Sequence, residues 1–172
     1  MPMRKANISN LPSETWKSPT DKFKSWGKGL NEAVGGDSRS MDLTKRWPFD
    51  VEIAGIPPGS ANCPYHSHSN QWEFYIVLSG ALTVRHKDGM TEAAPGDFFM
   101  FAPGEPHQLI NNGTEEVSYY CIADNPINEH CYYPDSDKYV VRLPGSGQLI
   151  KAGAKVEYFH GEDEPATGWI QE

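Results

Sequence analysis

The sequence predicts an all-β domain, a sandwich or a barrel. Two observations carry this: a series of short, evenly spaced strand candidates between residues 49 and 123, and the Gly, Pro and Asn turns that separate them. The candidates are 49–56, 71–78, 82–87, 90–93, 97–102, 107–111 and 116–123. Segment 71–78 is rich in aromatic and β-branched residues and ends at Ser79-Gly80, a hairpin signal. Arg85-His86-Lys87-Asp88-Gly89 has the composition of a hairpin tip. Pro95-Gly96-Asp97 is a turn, 98–101 an apolar strand, and Pro103-Gly104-Glu105-Pro106 a tight loop that delivers His107 to the next strand.

The regions flanking this core differ from it. Residues 1–47 carry few β signals and many Lys, Ser and Asn, so they are expected to form an irregular N-terminal arm. Its scattered apolar anchors, Leu11, Trp16, Phe23, Trp26 and Trp47, would pin it onto the barrel or onto a partner subunit. Pro48 disfavours helix at the residue before it and marks the end of the arm. Residues 48–125 form the barrel core, and 126–172 a C-terminal extension with the acidic loop 161–165. The sequence contains no internal repeat and no low-complexity tract.

Composition agrees with one compact domain. A chain of 172 residues with 38% hydrophobic and 12% aromatic content can fill one core. No apolar run approaches the length of a membrane span, and Met1-Pro2-Met3-Arg4-Lys5 leads into polar sequence, so a cytoplasmic protein is expected. Cys63, Cys121 and Cys131 are an odd set that fits free thiols. A net charge of -8 argues against nucleic-acid and anionic-membrane surfaces, which need basic stripes, and there is no basic helical segment that would read as a DNA-binding unit.

Parity locates a candidate site. Residues two apart on a strand share a face, so His66 and His68 can converge on one point. The four residues between His68 and Glu73 would bring the next strand beside them, and His107 would arrive from the second cluster. Three imidazoles and a carboxylate are enough to hold one divalent metal. If Glu73 points inward, Tyr75 and Val77 share its face, while Trp72, Phe74 and Ile76 face outward and need a cover, either the arm or a second subunit. Leu109 and Asn111 fall on the His107 face, and either Tyr119 with Cys121 or Ser118 with Tyr120 completes the wall. His86, His130 and His160 lack such company and are assigned no site role; Cys63, three residues before His66, is taken as an ordinary loop or buried thiol.

The two segments resemble the two motifs of the cupin superfamily. The first is matched by Gly59, His66, His68, Glu73 and Gly80, and the second by Gly96, Gly104, His107 and Asn111. Six residues rather than the usual five separate Gly59 from His66, and Ala102 stands where a proline is usual; both departures lie in loops or turns. The resemblance implies a jelly-roll barrel. It assigns the metal ligands to His66, His68, Glu73 and His107, with one divalent transition metal among Mn, Fe, Ni, Cu and Zn as cofactor. It also implies a homodimer acting on a small-molecule substrate, with Glu73 and Tyr75 as the expected catalytic pair. The chain resembles small single-domain cupins described as sugar-phosphate isomerases, which implies an isomerase-like activity. A non-haem iron dioxygenase and a non-catalytic metal-bearing binding module stand beside that reading. The Lys and Arg residues that would clamp a phosphate are scarce in the barrel region, with Arg85 and Lys87 at a hairpin and Lys138 and Arg142 beyond it.

Overall fold

The computed structural model describes residues 3–38, 40, 42–143 and 146–156. His160 and the acidic loop 161–165 lie outside them. In chain order the strands are β1 (Glu14–Lys17), β2 (Lys24–Gly29), β3 (Phe49–Ile56), β4 (Ser60–Ala61), β5 (Ser67–His68), β6 (Glu73–Ser79), β7 (Leu82–His86), β8 (Gly89–Ala93), β9 (Phe98–Phe101), β10 (His107–Asn111), β11 (Val117–Asp124), β12 (His130–Tyr133), β13 (Lys138–Leu143) and β14 (Ser146–Lys151). The β3 and β10 ranges coincide with the sequence expectation, and β6, β7, β8, β9 and β11 differ from it by a residue or two at their ends.

Three sheets result, in the orders β1-β2-β3-β11-β6-β9, β4-β10-β7-β8 and β14-β13-β12-β5. The first two face each other as a jelly roll, and Ile56, Val77, Leu82, Leu109 and Val117 fill the space between them with almost no exposure. Burying each such side chain stabilises the fold by about 1.5–3 kcal/mol. Glu73, Tyr75 and Val77 are buried while Phe74 and Ile76 are half-buried on the other face, as parity requires. The open register on β11 resolves to Tyr119 and Cys121, which pack with the core.

Several local expectations need correction. Ser79-Gly80 does not join paired strands: β6 pairs with β9 and β11, and β7 with β8 and β10, so this turn carries the chain from one sheet to the other. Gly80 permits it with a φ of 76°, and a Cβ there would stand 2.7 Å from the Glu116 carbonyl oxygen. Nor does the loop after His68 set β5 beside β6, because β5 pairs with β12.

The arm is more regular than its composition implies. Residues 14–29 supply β1 and β2, and β2 pairs with β3 from Trp26↔Gly55 to Gly29↔Glu52. Two lysines and two glycines in Lys24–Gly29 give it weak intrinsic strand character. A neighbouring sheet edge supplies the hydrogen bonds that its own sequence does not call for. The arm joins the sheet on the β3 side, so it does not cover the outer row of β6. Trp72, Leu78, Phe98 and Met100 remain exposed there.

The C-terminal extension is tied to the barrel by charge. Arg85 donates two hydrogen bonds to Asp135, at 2.6 and 2.8 Å, and lies 3.9 Å from the centre of the Tyr65 ring. The Arg85 hydrogen bond holds the Asp135 carboxyl below its ordinary value. A carboxyl lowered in the folded state stabilises at pH values above its unfolded value, and this contribution is lost as pH falls through the folded one. Both side chains are partly exposed, so screening limits the pair to about 0.2–1 kcal/mol. Asp135→Asn is expected to lower the melting temperature slightly at neutral pH, with the difference from the parent closing in acid. Melting curves across pH check this. Among the described residues no helix is long and apolar enough to cross a membrane.

Candidate metal centre

The site is assembled where the sheets meet at one end of the barrel. His66 precedes β5 and bridges to His107 at the start of β10, with each backbone N–H donating to the other's carbonyl at 3.1 and 2.8 Å. His68 ends β5, and Glu73 opens β6. One donor atom from each of these four buried side chains lies within 4.8 Å of the others. His66 Nε2 is 3.1 Å from His68 Nε2, His68 Nε2 is 3.4 Å from Glu73 Oε1, and His107 Nε2 is 2.7 Å from Glu73 Oε2.

The far side of each ring decides which nitrogen faces the cluster. His66 Nδ1 lies 3.0 Å from the Pro64 carbonyl, His107 Nδ1 lies 3.1 Å from the Glu105 carbonyl, and His68 Nδ1 lies 3.1 Å from Glu129 Oε1. Carbonyl and carboxylate oxygens only accept, so each Nδ1 carries a hydrogen, and a ring in its neutral form turns its Nε2 lone pair inward. Three lone pairs and a carboxylate so close together repel unless a cation sits among them. This donor set therefore fits a divalent metal of nitrogen and oxygen preference.

Electrostatics agree with a neutral ring at His66, whereas at His68 they favour the protonated ring as long as no cation sits in the cluster. Burial, reinforced by His107 and His68, brings the His66 pKa down to about 3, so this ring is neutral at ordinary pH. Burial also works to lower His68, but its hydrogen bonds to Cys131, Glu129 and Glu73 outweigh it and push the ring up to about 12. Burial works to raise the Glu73 carboxyl, yet His107 and His68 hold it well below its ordinary value. Tyr75 donates to Glu73 Oε2 at 2.9 Å. Burial keeps its phenol pKa far above 10, so Tyr75 acts as a fixed donor and not as a base. Phe101 stacks on His107 with ring centres 4.0 Å apart and planes 4° from parallel, while Tyr133 stacks on His66 at 5.9 Å.

The contribution that sequence reading missed is Glu129, in the C-terminal extension. It is buried, and besides His68 its carboxylate accepts from the backbone N–H of Ser69, Asn70 and Gln71 at 3.1, 2.8 and 3.0 Å and from the Ser69 hydroxyl at 3.2 Å. One carboxylate therefore aims His68 and also fixes the loop that sets the spacing from His68 to Glu73. Cys131 adds its sulfur 3.5 Å from His68 Nδ1. His68, Glu129 and Cys131 also lie close enough to ligate a metal, but the donors on both Glu129 oxygens make this trio the support of His68 instead. The nearest local signal is Asn128, with φ at 71°, a left-handed turn that asparagine tolerates just before Glu129.

The histidines set aside lie elsewhere. His86 Nε2 meets the Thr91 hydroxyl at 2.9 Å on the β7–β8 hairpin, and His130 is exposed beside Tyr139. Cys63 places its sulfur 3.5 Å from His66 Nδ1, and burial raises its thiol pKa, which keeps it protonated.

Residues 52–123 match the family model described as the cupin domain, and this span holds all four cluster residues. Within that span the chain is similar to a cupin domain. It is similar to a protein from Acidithiobacillus ferrooxidans provisionally named a sugar phosphate isomerase, at 26% identity and a TM-score of 0.74, over 87% of this chain and 92% of that one. It is also similar to a protein from Silicibacter pomeroyi named a sugar phosphate isomerase from a cupin superfamily, at 22% identity and a TM-score of 0.73, over 90% and 97% of the two chains. A polyketide cyclase from Streptomyces resistomycificus matches at 18% identity and a TM-score of 0.57, over 72% and 80%. The last two likenesses speak to the fold alone. No curated protein matches the chain.

Proposed function

We propose that this protein is a metal-dependent enzyme of isomerase type, acting on a small hydroxylated carbonyl compound. The observation that carries the reading is the convergence of three Nε2 atoms on Glu73 with every Nδ1 already committed to an acceptor. His66, His68, Glu73 and His107 would hold one divalent transition metal, Mn, Fe, Ni, Cu or Zn. When bound, such an ion polarises a carbonyl or hydroxyl oxygen and eases loss of a neighbouring proton.

The chain's own residues supply placement and dryness. Tyr75 donates to one oxygen of Glu73 and so restrains the carboxylate, and Phe101 walls His107 away from water. The name of the Acidithiobacillus ferrooxidans relative supports the reaction type. We include in the proposal a homodimer formed over the exposed row of Trp72, Phe98 and Met100.

The test is to purify the protein with its native metal and identify that metal. Oxygen uptake and product formation are then followed over a panel of sugars, aromatics and thiols. Interconversion of a sugar without oxygen is expected. Oxygen consumption would replace this reading with a dioxygenase, and tight ligand retention without turnover with a binding module.

A further inference from the structure

We infer that Lys138 and Lys151, on the third sheet, form an anion subsite next to the histidine cluster, and that the ligand carries a carboxylate or a phosphate beside its hydroxyl groups. This rests on the reading above that the cluster serves a small hydroxylated molecule, and it adds a charged group to that molecule.

The third sheet turns one face to the cluster. Side chains two apart along a strand share a face. On β12 and just before it, Glu129 and Cys131 reach His68 Nδ1 at 3.1 and 3.5 Å, and Tyr133 stacks on His66. Residues directly opposite in an antiparallel ladder also share a face. Tyr133 pairs with Lys138 of β13, and Lys138 pairs with Lys151 of β14, so Tyr133, Lys138 and Lys151 form one row across the three strands. The other face carries Tyr132 and Tyr139, whose ring centres are 4.7 Å apart.

Contacts tie the row to the cluster. Lys138 Nζ lies 5.0 Å from the centre of the Tyr133 ring, and that ring lies 5.9 Å from the centre of the His66 ring. One phenol ring therefore links the ammonium group to a histidine of the cluster. A ligand held at the cluster has only to pass Tyr133 for its far end to meet Lys138.

The charge of this row does not serve the fold. Like charges directly opposite on a ladder destabilise it. Among the described residues neither lysine meets a carboxylate, whereas Lys17 and Lys24 hold Asp21, Lys45 holds Asp42 and Arg85 holds Asp135. The acids nearest in sequence to Lys138 are already engaged, Asp135 by Arg85 and Asp137 by the Tyr132 hydroxyl at 2.9 Å. In a chain of net charge -8, two neighbouring lysines on the cluster side make a local cationic patch against the overall field. Lys138 is half-buried and Lys151 exposed, so the patch is open to a ligand from solvent. Ammonium groups on flexible stems act as point charges and donate to carboxylate and phosphate oxygens alike.

Titration calorimetry of the metal-loaded protein with sorbitol, gluconate and sorbitol 6-phosphate tests this, with metal content measured on the same preparation. At least one of the two anions is expected to bind about tenfold or more tightly than sorbitol, as a hydrogen bond to a charged group requires. The tighter of the two tells carboxylate from phosphate, and the gain should shrink as salt rises. Lys138→Gln with Lys151→Gln should remove the gain, while Lys138→Arg, which keeps the charge, should preserve it. The paired variant relieves a like-charge contact and is expected to fold, and Lys138→Gln alone gives the same direction with less perturbation. Sorbitol binding as tightly as both anions, or no binding of any probe, would overturn the inference. So would a gain that survives in the paired variant, because the metal alone would then hold the anion. Failure of the subsite in protein that still takes up metal leaves the metal centre standing. A gain that depends on the lysines in protein that takes up no metal supports the subsite and sinks the proposed reaction.

Discussion

His66→Ala combined with His68→Ala is expected to abolish stoichiometric binding of a divalent transition metal while the barrel persists. Two of the four converging donors are lost, and Glu73 with His107 alone offers too few ligands for a stable site. The fold should survive because the solvent-free core of Ile56, Val77, Leu82, Leu109 and Val117 contains neither histidine. Metal content after dialysis, read beside the circular dichroism of the parent and the variant, checks both halves. Metal retained at one equivalent would remove His66 and His68 from the site.

Glu129→Gln should act on metal binding from outside the ligand set. The amide keeps one acceptor oxygen but sets an NH₂ group against N–H donors that now meet a carboxylate, from His68 on one side and Asn70 and Gln71 on the other. Leaving buried donors unpaired costs about 1–3 kcal/mol of stability. Loss of a carboxylate partner on a ligating histidine lowers metal affinity by about 10–100-fold. Metal titration and thermal melts of the same preparations separate the two effects. Reduced stability with unchanged affinity would show that Glu129 only braces the loop.

The barrel was legible because its signals are local. Strands such as 49–56 and 107–111 are short and bounded by turn residues, so their punctuation appears in the sequence. The pairing of Glu73 with Tyr75 on one face followed from parity alone, whereas the choice between Tyr119 and Ser118 did not. A shift of one residue on β11 exchanges the faces, and only pairing with β3 and β6 fixes it. The hairpin of residues 14–29 was illegible for the opposite reason: Lys24–Gly29 is a strand because β3 offers it an edge.

By itself the sequence determined the all-β class, the strand rhythm of residues 49–123 and the residues His66, His68, Glu73 and His107, since spacing and residue type are properties of the chain. Only the tertiary structure decided that Glu129, fifty-six residues after Glu73, would aim His68, and that the N-terminal hairpin would extend the sheet at β3. Hydrogen bonds and strand pairings made between distant segments leave no period or motif in either segment. They exist only once the sheets have brought those segments together.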